Sequence, residues 1–410
     1  MAGAAGPGSN AAPPRVVLGV AGGIAAYKAC ELLRLFTESG HDVTVVPTAA
    51  ALEFVGAPTW AALSGKPVHA DVWSRVHEVP HVMLGRHADL LVVAPATADI
   101  VARAAHGLAD DLLTNTLLTA RCPIVFAPAM HTEMWEHPAT VANVATLRTR
   151  GIVVIEPAVG RLTGPDTGKG RLPEPPEIFA IARRLLRRGA DGVDLFGRHV
   201  VVTAGGTREP LDPVRYLGNR SSGKQGYAFA RAAVARGARV TLIAANVALD
   251  DPAGVDLVRV GNTAELRDAT LSASGNADVV VMAAAPADFR PAAYQAQKIK
   301  KAADGSAPTI ELTVNPDIAA ELGADKRPGQ VLVAFAAETS DGMANARAKL
   351  SRKHADFIVL NEVGVDKVFG HEDNVATVIA ADGDVTELGR RDKEDLADAV
   401  LDMVLARLAK

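Results

Sequence analysis

Cysteine is nearly absent from this chain: Cys30 and Cys122 are the only two in 410 residues. That excludes a disulfide framework and a cysteine-rich zinc ribbon. Aromatic residues make up 4% of the sequence, too few for a base-stacking platform or for membrane aromatic belts. Neither charge dominates, since 43 basic and 47 acidic side chains leave a net −4. A diffuse nucleic-acid binder carries a basic surplus, so nucleic acid is not an expected partner. Long apolar runs are also missing. The stretch from Leu90 to Ala98 is cut by Pro95 and Asp99, well short of a membrane span. Met1 to Pro14 has neither a charged segment nor an apolar one, and reads as a disordered tail rather than a signal peptide. The expectation is a cytoplasmic protein with no membrane contact.

What is present is ordinary for a globular protein: 49% hydrophobic and 22% charged residues. At about 150 residues per domain, the length suggests two or three domains. The first strand reads Arg15-Val-Val-Leu-Gly-Val20, followed by Ala21-Gly22-Gly23-Ile24-Ala25-Ala26-Tyr27-Lys28. Leu32, Leu33, Leu35 and Phe36 then follow at helical spacing up to the stop at Ser39-Gly40, and a second strand spans Asp42 to Pro47. The same grammar returns at Arg198-His-Val-Val-Val-Thr203 and Ala204-Gly205-Gly206-Thr207. A helix from Gly226 to Arg236 and a strand from Arg239 to Ile243 complete the repeat. Ala88 to Asp99 echoes Ala277 to Asp288, each an apolar run ending in a small-residue turn. Runs of that kind suit parallel strands buried on both faces. The predicted fold is therefore α/β, two tandem doubly wound Rossmann-like parallel-sheet domains joined near Arg183 to Gly192. Ligands are expected at the loops leaving the strand ends after Val20, Val46, Val93, Ala204, Met282 and Phe335.

In the first half, Gly22-Gly23 stands equally well for a plain tight turn or for a phosphate-binding helix entry. His81 in Pro80-His81-Val82-Met83-Leu84-Gly85, taken alone, is more readily a packing residue than a catalyst. Two further segments add weight: Pro95-Ala96-Thr97-Ala98-Asp99, and Pro128-Ala129-Met130-His131-Thr132-Glu133-Met134-Trp135. Taken in order with Gly22 to Lys28, they resemble the homo-oligomeric flavin-containing cysteine decarboxylases. The resemblance implies FMN at Gly22, Gly23, Ile24, Ala25, Thr48 and Thr97, with His81 as catalytic base. Oxidising a terminal cysteine's thiol to a thioaldehyde would create the electron sink that lets CO₂ depart. Two departures stand out. His131 replaces the family's asparagine, although a histidine can donate the same hydrogen bond. The family's substrate-loop cysteine is missing from Gly160 to Arg171, where Thr163 or Gly164 takes its place. Asp166, His131 or a water could supply the proton instead.

The second half is richest from Thr203 to Gly226, where glycines, hydroxyls, an amide and cations lie between a strand and a helix N-terminus. Backbone N–H groups with Ser221 and Ser222 suit phosphate oxygens, and Lys224 suits their charge. The glycine and lysine spacing is not that of a P-loop. Lys298 to Lys301 alone reads as a solvated charge run, and Lys349 and Lys353 fall on one face of what is expected to be the last helix. With Ala285-Pro286-Ala287-Asp288-Phe289-Arg290, Asn315-Pro316-Asp317-Ile318 and Phe335 to Thr339, this half resembles phosphopantothenate–cysteine ligases, which in bacteria are fused behind the decarboxylase.

That resemblance implies a CTP site at Ala287, Asp288, Phe289, Lys298, Pro316, Asp317, Ile318, Ala319, Phe335, Lys349 and Lys353. It also implies that Asn219 and Arg215 handle the acyl-cytidylate and 4′-phosphopantothenate. Lysines and Mg²⁺ would offset the charge that builds on the triphosphate. Together the two resemblances imply a bifunctional enzyme of coenzyme A biosynthesis. Residues 1–14 would be tail, 15–190 the FMN-dependent phosphopantothenoylcysteine decarboxylase, and 191–410 the CTP-dependent ligase. It would use 4′-phosphopantothenate, L-cysteine and CTP, with His81, His131, Asn219 and Lys298 catalytic. They further imply a homo-oligomer with ligase dimers whose lysine loop can reach across. The competing reading is a ligase whose silent flavodomain serves only as an oligomerisation scaffold.

Overall fold

The computed structural model describes residues 12–68, 80–162, 166–189, 192–300, 307–338, 341–362 and 373–409. Thr163, Gly164 and Lys301 lie outside the described residues. The chain divides into two units, 1–193 and 194–410.

In the first unit the strands are β1 (Arg15–Val20), β2 (Asp42–Pro47), β3 (Leu90–Ala96), β4 (Ile124–Pro128) and β5 (Val153–Val154). A hairpin follows, β6 (Ala158–Arg161) and β7 (Thr167–Arg171). The helices are α1 (Ala26–Glu38), α2 (Ala49–Leu52), α3 (Ala57–Ser64), α4 (Pro80–His87) and α5 (Ala98–His106). After them come α6 (Leu112–Thr119), α7 (Thr132–Glu136), α8 (Pro138–Thr149) and α9 (Pro175–Arg188). The five sheet strands are parallel in the order β2-β1-β3-β4-β5. All seven residues of β3 are buried, as an unbroken apolar strand covered on both faces must be. Helix α1 buries Ala29, Leu32, Leu33 and Phe36 along one stripe; each large side chain so removed from water stabilises by roughly 1.5–3 kcal/mol. Phe36 meets Phe179 of α9 edge to face, with centroids 5.0 Å apart. Arg183 to Arg188 thus belong to a helix of this unit, and α9 buries Leu185.

The second unit opens with β8 (His199–Gly205), β9 (Arg208–Pro210), β10 (Tyr216–Gly218), β11 (Arg239–Ala245), β12 (Val255–Val260) and β13 (Val279–Met282). It continues with β14 (Phe289–Pro291), β15 (Leu312–Val314), β16 (Val331–Glu338), β17 (Phe357–Glu362), β18 (Asp373–Ala380) and β19 (Val385–Asp392). Its helices are α10 (Lys224–Ala235), α11 (Thr263–Ser274), α12 (Ile318–Ala324), α13 (Gly342–Arg352) and α14 (Lys393–Leu408). The main sheet runs β12-β11-β8-β13-β16-β17-β18-β19; the first six strands are parallel and the last two antiparallel. Numbered by appearance in the sheet, the parallel strands lie in the order 3-2-1-4-5-6, whereas the first unit has 2-1-3-4-5. These are the two common doubly wound orders, and each reverses direction beside its first strand. Helix α10 begins two residues before the expected Gly226. Helix α13 is not the last: α14 follows it, and Lys353 sits one residue past the end of α13. No helix among the described residues is long and apolar enough to cross a membrane.

Candidate active sites

The first unit's sheet reverses between β1 and β3, and the loops leaving β1, β2 and β3 meet there. Thr48 N donates to Val20 O at 2.9 Å and Ala21 N to Pro95 O at 3.2 Å. A side chain at Gly22 would collide with Ala50, and one at Gly23 would touch the Thr97 methyl. At Gly22 the loops can close this tightly only because the position carries no Cβ; at Gly23 a Cβ would make an ordinary contact. Thr48 caps α2, accepting from Ala51 N at 3.2 Å, and Thr97 caps α5, accepting from Ile100 N. Each hydroxyl keeps its own proton for an anion. Helix α1 has no side-chain cap at Ala25; Ala26 N donates to Gly23 O at 2.9 Å and Lys28 N to Ala25 O at 3.0 Å, so backbone turns close its start at the positive end of the helix dipole. Ile24 is exposed.

His81 lies half-buried on α4. Its backbone oxygen accepts from Thr119 Oγ1 of α6 at 2.8 Å, while its ring Nδ1 is buried with no hydrogen-bond partner among the described residues. His131 stands at the start of α7 with Nδ1 2.9 Å from Asp166 Oδ2; Glu133 joins them within 4.8 Å. The hairpin is laid over this segment. Met130 N donates to Gly170 O at 2.9 Å, and any side chain at Gly170 would strike Met130 O. Lys169 of the hairpin is anchored on Glu156 at 2.8 Å, and Arg148 reaches the same carboxylate at 2.6 Å. Burial opposes ionisation of Glu156, but Arg148 and Lys169 outweigh it and hold the carboxyl below its usual range. Burial pushes the Cys122 thiol up to about 11 and raises that of Cys30 as well. Neither thiol is poised for proton transfer near neutral pH.

The second unit reverses between β8 and β13, and a cavity of about 840 Å³ opens at that point. Asn219, Ser221 and Ser222 enter from the loop before α10, and Ala287, Asp288 and Phe289 from the loop after β13. Pro316 to Ala319 line it at the start of α12, Phe335 from β16, and Lys349 and Lys353 from the end of α13. Gly223 turns the chain into α10 with φ +79, a conformation that favours glycine. Asn219 Nδ2 donates to Pro286 O at 2.9 Å, while Asn315 Nδ2 donates to Ala287 O at 2.8 Å. Thr207 Oγ1 accepts from Ala287 N at 2.8 Å, so the loop after β13 is held from three sides. Phe335 packs edge-on against Phe229, centroids 5.7 Å apart.

Asp317 caps α12 and takes Lys353 Nζ at 2.6 Å, with Arg352 at 3.8 Å. Burial works against its charge, yet Lys353 and the cap hydrogen bond prevail and hold its carboxyl below the ordinary value. Lys349, Arg352 and Lys353 gather at this corner beside Asp317, and such a cluster of cations suits polyphosphate.

Arg215 and Lys298 are not among the residues lining this cavity; Arg215 borders a smaller one beside Asp212. Arg352, Asn361 and Lys393 do line it, and sequence reasoning missed them. Lys393, 9% exposed, sits in Arg390-Arg391-Asp392-Lys393-Glu394, which reads as a solvated charge run. Only its burial separates it from its neighbours.

The chain matches two family models, one described as Flavoprotein over residues 7–187 and one as DNA/pantothenate metabolism flavoprotein C-terminal domain over residues 195–408. It is 56% identical over 408 residues to the Coenzyme A biosynthesis bifunctional protein CoaBC of Mycobacterium tuberculosis (strain ATCC 25618 / H37Rv), with 97% of each chain covered. It is 42% identical over 395 residues to the protein of that name from Bacillus subtilis (strain 168), covering 95% of this chain and 96% of that one. Among solved structures it is similar to the crystal structure of the C-terminal domain of Coenzyme A biosynthesis bifunctional protein CoaBC. The identity there is 36%, over 52% of this chain and 96% of that one, with a TM-score of 0.45.

Proposed function

The chain belongs to the family of coenzyme A biosynthesis bifunctional proteins and has their ligase and decarboxylase activities; from this we propose how its own residues divide the work. Residues 191–410 join 4′-phosphopantothenate to L-cysteine with CTP, and residues 15–190 decarboxylate the product to 4′-phosphopantetheine with FMN, behind a tail at 1–14. The observation that carries this reading is the single cavity that gathers the Asn219–Ser222 loop, the Ala287–Phe289 turn and the Lys349–Lys353 corner.

In the ligase, the substrate carboxylate attacks the α-phosphate of CTP, pyrophosphate leaves, and the cysteine amine then displaces CMP from the acyl-cytidylate. Backbone N–H groups near Ser221 and Ser222 hold phosphate oxygens at the start of α10. Lys349, Lys353 and Lys298 offset the charge that grows as pyrophosphate departs. Phe335 supports the nucleotide, Asn219 holds the mixed anhydride, and a Mg²⁺ accompanying CTP is bound chiefly by its phosphates.

In the decarboxylase, the Nδ1 of His81, buried with no partner among the described residues, and the positive end of α1, which no side chain caps, suit an anionic flavin with its substrate. Bound FMN would take two electrons from the substrate thiol and return them once CO₂ has left, so that the overall reaction is redox-neutral. The chain's residues do the rest: Gly22 to Ala25, Thr48 and Thr97 seat the phosphate, His81 takes the thiol proton, and His131 holds the substrate carboxylate. We place the enzyme in the cytoplasm as a homo-oligomer, with ligase dimers on a larger flavodomain assembly.

The test supplies 4′-phosphopantothenate, cysteine, CTP and Mg²⁺ to the purified protein and reads products by mass spectrometry. 4′-Phosphopantetheine is expected. Accumulation of 4′-phosphopantothenoylcysteine alone would leave a ligase on a silent flavodomain, and no new product would sink the reading. His81→Asn is expected to stop CO₂ release while pyrophosphate release continues.

A further inference from the structure

Asp212 has a fully buried side chain, and its carboxylate is saturated with donors. Oδ1 accepts from Val214 N at 2.8 Å and Arg215 N at 2.9 Å. Oδ2 accepts from Arg215 Nε at 3.0 Å, from Arg215 Nη2 at 2.6 Å, and from Ile299 N at 3.1 Å. Arg215 Nη2 also donates to Ile299 O at 2.6 Å. One ion pair therefore grips both polar groups of a residue more than eighty positions away in the chain. A third tie, Gln295 N to Leu211 O at 3.1 Å, fastens the start of the same loop. Ile299 is flanked by Lys298 and Lys300, both exposed. The pair is a weak source of net stability, because burying Asp212 is costly while Arg215 stays half exposed and screened. Its remaining hydrogen-bonding capacity goes instead to the peptide groups between two lysines, which are the groups that set where those lysines are presented.

We propose that Asp212 and Arg215 are positioning residues, a latch on the Ile299 backbone that presents Lys298 for the activation step. The proposal rests on the reading of Lys298 given above.

The test combines amide hydrogen exchange at Ile299 with a double-mutant cycle on pyrophosphate release, using the full-length protein. Asp212→Asn keeps the shape and loses the charge; Arg215→Lys keeps the charge and loses the fork, and serves as the second variant should the first not fold. Each is expected to speed Ile299 exchange about tenfold or more, the scale of a lost charge-assisted hydrogen bond. Each should lower kcat by a similar factor, leaving KM for CTP within about twofold. In a Lys298→Gln background, either change should add no further loss, because the latch acts only through that lysine. Unchanged Ile299 exchange, or losses that multiply with that of Lys298→Gln, would overturn the latch. If Lys298→Gln by itself releases pyrophosphate normally, the role of Lys298 fails, and Ile299 exchange alone decides whether the latch exists.

Discussion

The two units begin with the same strand, glycine turn and helix, and build sites of opposite character at the same place in the sheet. In the first, the reversal beside β1 is closed by small residues: Gly22 against Ala50, Gly23 against Thr97. In the second, the reversal beside β8 stays open as a cavity of about 840 Å³ with Lys349, Arg352 and Lys353 at one corner. The first brings backbone and small side chains together at its reversal, the second a cluster of cations. A doubly wound sheet decides where a ligand sits, and the side chains of its loops decide what kind of ligand that is.

That contrast can be broken at either end. The largest effect is expected from Gly22→Val, which forces a side chain into Ala50. Flavin retention should weaken about a hundredfold, the upper end of overpacking costs, while pyrophosphate release is unchanged. A visible absorbance spectrum of the purified variant checks it; a retained flavin band would show that the turn is not shape-limited. Lys349→Met should have an intermediate effect, raising KM for CTP about tenfold at low ionic strength, with the difference shrinking as salt screens the corner. Decarboxylation of supplied intermediate should not respond, and a salt-independent change would mean that Lys349 acts by packing.

Glu156→Gln should have the smallest effect, destabilising the first unit by about 1 kcal/mol near neutral pH. The carboxyl of Glu156 titrates below its ordinary value of 4.5 in the folded chain. Its contribution is therefore full above that value and is lost as pH falls through the folded one. The gap in Tm between wild type and variant should accordingly narrow below pH 4.5; a gap that persists in acid would assign it to lost packing instead.

Much of the architecture was legible because its causes are local. Arg15–Val20 and His199–Gly205 are apolar runs followed by glycine, and such a run can bury itself only as a central strand. The helix stripe Ala29, Leu32, Leu33 and Phe36 follows from spacing alone. The sites were legible in a different way. Residue types in the Thr203–Gly226 loop pointed to phosphate, but nothing local showed that Arg215 pairs with Asp212 and reaches the Ile299 backbone. Its partner, Asp212, is three residues away, and the group they hold together, Ile299, lies far along the chain. Lys393 was hidden for the same reason: a lysine among charges becomes distinctive only when the fold buries it.

Strand and helix identities, the glycine turns and the parallel character of both sheets thus follow from the chain's own pattern. They depend on periodicity and backbone freedom, which each short segment carries with it. Strand order does not. The fold alone placed β12 at the far edge and gave the second unit an order of 3-2-1-4-5-6 where the first has 2-1-3-4-5. It also turned β18 and β19 antiparallel and committed Arg215 to a buried carboxylate instead of the large cavity. Pairings between distant segments are chosen by what each one buries against the rest, and that competition is settled only when the whole unit packs.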